Sequence, residues 1–333
     1  MMRFGGNPPK ALNRRHLLAG IAAVTATKAR AQPAAKIYRV GVLTPSAPPL
    51  GQLEALREGL GELGYVEGQN IAFEWRFGGG SNEALPRLAR ELVEAKVDVI
   101  VAINTTPAQA AKKATTTIPI VFTRLGDPVR TGLVKSLART DANLTGITSM
   151  PEEVMGKRLE FLKDTLPGAS RIAALYSGGN RGADVNMDEL GKACLRLKLE
   201  LLRLPALGPE DFERVIEAAT VWKANALFVQ DDAAITDQST KLLALTNANR
   251  LPVFGQYRPF AEAGAVVTYG PDIPAMYRRT AYFVDRILKG AQPQDLPVER
   301  PTKIVLIVNQ KAAKALGLAI PPPVLALADE VIE

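Results

Sequence analysis

Residues Val97–Ile103 read VDVIVAI, and Thr105-Thr106-Pro107 follow one residue later. A run this short, this apolar and this rich in β-branched residues reads as a strand buried on both faces of a sheet. Thr106 stands where an N-cap is expected and Pro107 fits the first helical position, so the strand feeds a helix directly. That junction is half of a βαβ unit, and the same alternation extends from it in both directions.

Upstream lie a helix from about Asn82 to Ala95 and a strand Asn70–Arg76 (NIAFEWR). Before them come a helix with Leu53, Leu56, Leu60 and Leu63 on one face, ended by Gly64, and a first strand Arg39–Thr44 (RVGVLT). Downstream lie Ile118–Thr123 (IPIVFT), a helix opened by Asp127-Pro128 and running to about Ala138, and a short strand Leu144–Thr148. The pattern then restarts, with Arg171–Ser177, Leu199–Leu204, Ala226–Gln230, Leu251–Gly255 and Ala265–Tyr269 as further strands separated mostly by helices. Helical connections between consecutive strands require parallel pairing, with helices on both faces of each sheet. The expected architecture is therefore α/β, two doubly wound parallel-sheet lobes. A tail adds a helix Ile273–Lys289, a strand Lys303–Val308, a helix Lys311–Leu316 and, beyond Pro321-Pro322-Pro323, a helix from about Val324 to Ile332.

The N-terminus carries a different signal. Arg14-Arg15 precede a weak apolar run, Leu17–Thr27, and Ala29-Arg30-Ala31 supply small residues near a cleavage point. The run is shorter than the ~20 apolar residues a membrane span needs. Residues 1–31 are therefore expected to be a cleavable export signal of the twin-arginine type. They hold Arg3, Lys10, Arg14, Arg15, Lys28 and Arg30 and no acids, so removing them from 41 bases and 34 acids leaves 35 against 34. The basic character belongs to the address segment, and without a clustered basic footprint nucleic-acid binding is not expected.

The same cut removes His16, the single histidine, and Cys194 is the single cysteine. Histidine-based triads, His-rich zinc sites and a disulfide framework are thereby excluded from the mature chain. No cofactor is expected. Cys194 lies in a helical pattern and reads as a small buried apolar residue. Gly78-Gly79-Gly80 lacks both the spacing and the Lys-Ser/Thr ending of a phosphate loop.

In open parallel sheets ligands bind beyond the carboxyl ends of the strands, where helix N-termini present free N–H groups. Two such lobes place a small-molecule site in the cleft between them. The loops there offer Ser46, Thr105, Thr106, Arg124 and Asp127 in the first lobe. The second lobe offers Tyr176, Ser177, Asn180, Asp232, Gln256, Tyr257 and Arg258, with Tyr269 near the boundary. Each has a structural alternative: Thr106 and Asp127 as helix caps, the tyrosines as covers of a core edge, Arg258 as a surface cation. As ligand groups, Thr105 and Thr106 at a helix N-terminus suit a carboxylate, Asp232 an ammonium, and the tyrosines a flat or apolar portion. The set favours an amino-acid-like or aromatic anionic solute.

Several segments carry a family resemblance. Gly126-Asp127-Pro128-Val129, Gly132–Arg139 (GLVKSLAR) and Asn143–Ile147 (NLTGI) resemble the lobe-boundary region of ABC-transporter substrate-binding proteins of the tryptophan/tyrosine-binding type. Ala174-Leu175-Tyr176-Ser177, Ile287–Pro293 (ILKGAQP), Leu296–Glu299 (LPVE) and Ala313–Leu318 through Ala328–Ile332 are similar to the same family. The resemblance implies a type I periplasmic-binding fold with a hinge, residues 36–148 with 273–300 forming lobe one and 149–272 with 301–333 forming lobe two. It also implies a periplasmic monomer that closes over its ligand and docks on an inner-membrane permease with a cytoplasmic ATPase. It places Thr105, Thr106, Tyr176, Ser177 and Asp232 at ligand-facing loop positions. A sensory binding protein for a membrane receptor would use the same clamp, and a secreted enzyme on a related fold is a third reading.

Overall fold

The strand and helix that decide the fold are β3, Val99–Ile103, and α3, Thr105–Ala114, in a computed structural model of the chain. The structure describes residues 1–3, 5–6, 36–45, 50–79, 82–140, 142–149, 151–230 and 232–333. Ser46 and, apart from residues 1–3 and 5–6, the expected export segment lie outside the described residues. The chain divides into two units, 1–36 and 37–333, and the regular secondary structure described belongs to the second.

Around β3 and α3 the first lobe is built from β1 Tyr38–Thr44, α1 Leu50–Glu62, β2 Ile71–Phe77, α2 Leu85–Glu94, β4 Ile120–Leu125 and β5 Leu144–Thr148. The strand order is β2-β1-β3-β4-β5 and every pairing is parallel. β3, in the middle, is buried along its whole length, as a strand covered on both faces must be.

The expected helix after Asp127-Pro128 does not form. Asp127 Oδ1 accepts from the N–H groups of Val129 and Arg130 at 2.8 and 3.0 Å, which caps a turn. Pro128 O then takes both Leu133 N–H and Val134 N–H, and Gly132 has φ +73°, so the chain leaves the helical path after one turn. The helix after β3 also begins earlier than the sequence suggested. Its N-cap is Asn104, and Thr106 sits in the first turn.

The second lobe contains α4 Pro151–Thr165, β6 Arg171–Ser177, α5 Arg181–Arg196, β7 Glu200–Ala206, α6 Phe212–Val221 and β8 Ala226–Val229. There follow α7 Ala233–Thr236, α8 Ser239–Ala248, β9 Val253–Gly255, α9 Arg258–Ala263 and β10 Val267–Pro271. The chain continues through α10 Ile273–Leu288, β11 Ile304–Asn309, α11 Gln310–Ala315, α12 Pro322–Ala326 and β12 Glu330–Ile332. The sheet runs β12-β11-β10-β9-β8-β6-β7, parallel except where β11 turns back against β10. The expected final helix stops at Ala326. Asp329 exchanges two hydrogen bonds with Leu306, through its N–H at 2.9 Å and its carboxylate at 2.8 Å, and this lays β12 beside β11.

α10 leaves the second sheet and packs along α1 and over β3, β4 and β5. Gly59 of α1 makes that approach possible: a Cβ there would stand 3.0 Å from both Ala281 Cβ and Arg278 O. Arg278 and Glu58 then pair across the two helices at 2.6 Å. One apolar cluster joins Val40, Val101 and Tyr277 of the first lobe with Leu175, Leu227 and Phe260 of the second, and includes Tyr257. The chain crosses between the sheets after β5, after β10 and before β11. At these crossings Lys303 pairs with Asp272 at 2.6 Å and Arg300 with Glu153 at 3.2 Å. Although burial opposes it, the hydrogen bonds from Lys303 and from Ala275 N–H hold the Asp272 carboxyl below the usual carboxylate range.

Candidate functional site

The carboxyl ends of β3, β4, β6, β8 and β9 gather an unusual density of buried polar side chains. Asn104, Arg124, Asn180, Asn186, Gln230, Asp232 and Gln256 are all at least nine-tenths buried. Long polar groups are kept in an interior only when they bond to something.

Backbone geometry separates two of them from the rest. Non-glycine residues with positive φ among those described are Lys96, Asn104, Arg124, Lys198, Lys223 and Arg250. Lys96, Lys198, Lys223 and Arg250 are exposed and each lies two residues past the end of a helix, where a left-handed residue commonly closes it. Asn104 and Arg124 sit at the ends of neighbouring strands and are 5% and 3% exposed. Asn104 has φ 80° and ψ 172°, a region that essentially only glycine occupies. Such a conformation costs about 1–3 kcal/mol, and residues holding it cluster where a protein binds or reacts.

The Asn104 side chain does not cap α3, and neither its Oδ1 nor its Nδ2 has a hydrogen-bond partner in the structure. The same holds for both amide atoms of Gln230 and for Asn186 Oδ1. Arg124 donates to Gln52 Oε1 at 3.3 Å and lies over the Tyr257 ring, 5.0 Å from its centroid. Tyr257 Oη accepts from Gln256 Nε2 at 3.0 Å, and Gln256 Oε1 faces the buried Arg158 guanidinium at 3.5 Å. Asn180 is used locally: Oδ1 accepts from Gly182 N–H at 3.0 Å and Nδ2 donates to Asp232 Oδ2 at 3.2 Å.

The lobes are shut on one another here. Asn104, Thr105 and Arg124 of lobe one and Asn180, Gly182 and Asn186 of lobe two line a cavity of about 20 Å³, the scale of one water molecule. Gln52 and Tyr257, both in contact with Arg124, line a larger space of about 690 Å³.

The sequence-derived candidates divide accordingly. Thr105, Asn180 and Asp232 come together at the cavity or one bond from it, and Ser177 is buried at the end of β6. Thr106 is half-buried in the first turn of α3, and Asp127 uses its carboxylate on its own turn. Tyr257 is buried beneath Arg124. Tyr176 and Tyr269 pack against the core of lobe two instead; Tyr269 meets the Phe161 ring edge-on at 5.3 Å. Arg258 is a half-exposed cation forked onto Glu330. The Glu330 carboxylate raises the Arg258 pKa further. Asn104, Asn186 and Gln230 were absent from the sequence-derived set. The available signal was position, since Asn104 and Gln230 each directly follow the last residue of a buried strand.

Comparison with known proteins bears on the fold and the family. A family model described as ABC transporter substrate binding protein matches residues 49–332. A tyrosine-binding protein of Clostridioides difficile is 27% identical over 259 residues, 78% of this chain and 74% of that protein. A crystal structure of a conserved domain protein from Vibrio cholerae is 31% identical with a TM-score of 0.83, covering 89% of this chain and all of that one. A Streptococcus pneumoniae ABC domain in complex with L-Trp is 24% identical with a TM-score of 0.82, again covering 89% and 100%.

Proposed function

The chain belongs to the ABC transporter substrate-binding proteins, and from that premise we propose that it is the periplasmic receptor of an importer. Proteins of this family bind small solutes and are not enzymes. In the proposed reading, the twin-arginine signal exports the chain, which works as a monomer. The lobes close over an amino-acid-like or aromatic anionic solute, and the closed form delivers it to an inner-membrane permease driven by a cytoplasmic ATPase. The observation that carries the reading is Asn104, a buried carboxamide in a glycine-only conformation with both polar atoms unpartnered in the cleft.

The charges suit a zwitterion. Arg124 of lobe one offers a guanidinium for a carboxylate, and Asp232 of lobe two offers a carboxylate for an ammonium. Charge-assisted hydrogen bonds from opposite lobes would reward closure, because only the closed form makes both. Thr105, Thr106, Ser177 and Asn180 complete the proposed shell with Asn104 and Gln230. The tyrosine-binding relative and the L-Trp complex support the amino-acid class. Tyr176 and Tyr269, committed to the lobe-two core, take no part.

The test is thermal-shift screening of the mature chain against amino acids, aromatic acids and other small anions. A solute at a hundredfold excess over its Kd should stabilise the chain by about 2.7 kcal/mol. A screen in which no amino acid or aromatic acid stabilises it would remove the proposed solute class.

A further inference from the structure

Helix α5 of lobe two carries Gly182, Asn186 and Glu189 four and three residues apart, which places them on one face. Each of the three meets lobe one. A Cβ on Gly182 would stand 2.7 Å from Thr105 Oγ1 and 3.2 Å from Thr105 Cβ. Asn186 lines the cavity with Asn104 and Arg124. Glu189 Oε1 lies 3.0 Å from Nη1 of Arg130, on the turn that follows β4.

Gly182 has no positive φ to explain it, and glycine within a helix is worse than alanine by up to about 1 kcal/mol. What requires glycine here is the approach of Thr105 from the other lobe. Glu189 also binds Lys192 at 2.7 Å on its own helix. The Lys192 hydrogen bond and then the Arg130 charge hold the Glu189 carboxyl below the usual range.

We infer that this stripe of α5 is the closure face of the clamp, and that Gly182 and Glu189 set solute affinity by governing closure. The inference rests on the cleft being the solute site. A receptor that binds productively only when closed has an apparent affinity proportional to its closed fraction. Contacts made only on closure therefore act as affinity determinants. Gly182 lets the lobes meet, and the Arg130–Glu189 pair draws the rims together. Both are positioning residues.

The experiment needs no solute. In the mature chain carrying Cys194→Ser, Thr105→Cys and Gly182→Cys bring two Cβ atoms to a separation near the ~3.5–4.5 Å of a disulfide. Oxidised glutathione supplies the oxidant: the two thiols lose their protons and two electrons to it as the S–S bond forms, and two reduced glutathiones leave. Loss of two mass units and a faster-migrating monomer on a non-reducing gel report the bond. It is expected to form readily, to form about threefold to fivefold more slowly with Glu189→Arg, and to recover when Arg130→Glu is added. Absence of the disulfide, or an unchanged rate in Glu189→Arg, overturns the inference. Gly182→Val in the otherwise native chain gives a second readout by small-angle scattering. A larger radius of gyration supports the closure face, and an unchanged one contradicts it. A failed solute screen would sink the solute reading while leaving these rates interpretable.

Discussion

Asn104 and Asn180 occupy corresponding places in the two lobes. Each is the N-cap of a helix that follows a strand, each is more than nine-tenths buried, and both line the same cavity. Asn180 has an extended backbone, caps its helix through Oδ1 and steadies Asp232 through Nδ2. Asn104 has a glycine-only backbone, leaves its helix uncapped and holds two unpartnered polar atoms. One asparagine stabilises the scaffold while the other weakens it. Strain and unmet hydrogen bonds at a buried position persist where binding offsets them, so the difference marks Asn104 as the more solute-dependent of the two.

Substitution should separate the two in opposite directions. Asn104→Gly fits the backbone and removes the carboxamide, so it should raise stability by about 1–3 kcal/mol. The same change should cost roughly tenfold to a hundredfold in affinity, the worth of a hydrogen bond to a charged group. Calorimetric titration with the solute identified by screening, together with urea denaturation, checks both. Asn180→Ala should lose about 1 kcal/mol of stability, the usual worth of an N-cap, with a smaller change in affinity. Equal signs for the two stability changes would dissolve the contrast.

Residues away from the Asn104 cavity should barely move it. Arg258→Ala removes an exposed fork to Glu330 and should cost about 0.2–1 kcal/mol of stability with unchanged affinity. Tyr269→Phe should stay within about 0.5 kcal/mol, again with unchanged affinity, since its ring contact to Phe161 survives. A tenfold affinity loss in either variant would return these residues to the site.

The smallest effect concerns pH. The Glu189 carboxyl is lowered in the closed form by Lys192 and Arg130, so its contribution is complete above the unfolded carboxylate pKa of about 4.3 and fades as pH falls through the lowered value. The stability difference between the native chain and Glu189→Gln should be constant from about pH 6 to 8 and shrink below about pH 4. A difference that grows on acidification would contradict the assignment.

The two-lobed fold was legible because its evidence is local. Short apolar runs such as Val99–Ile103 and Ile172–Leu175 stay strands wherever they are packed. Three features were decided by contacts that the hydrophobic pattern does not show. The GLVKSLAR segment looks amphipathic, but Pro128 O captures two amides and Gly132 turns the chain aside. The C-terminal segment looks helical until Asp329 pairs with Leu306. Tyr176 and Tyr269 stand at strand ends, yet alternation along a strand says only that a residue shares a face with its second neighbours. Tyr176 follows Ile172 and Ala174 into the core packed on α4 and α5. The site was half legible: Thr105, Asn180 and Asp232 follow from the rule about strand ends, whereas Asn104 is distinguished by its φ and ψ, which its neighbours in sequence do not reveal.

The most direct test of the account is thermal denaturation of the mature native chain and of Asn104→Gly, each with and without the stabilising solute. The account predicts that Asn104→Gly melts higher than the native chain without solute and, at a solute excess that stabilises the native chain by about 2.7 kcal/mol, gains only about 0.4–1.4 kcal/mol. A variant that melts no higher than the native chain and keeps the full solute-induced shift would contradict it.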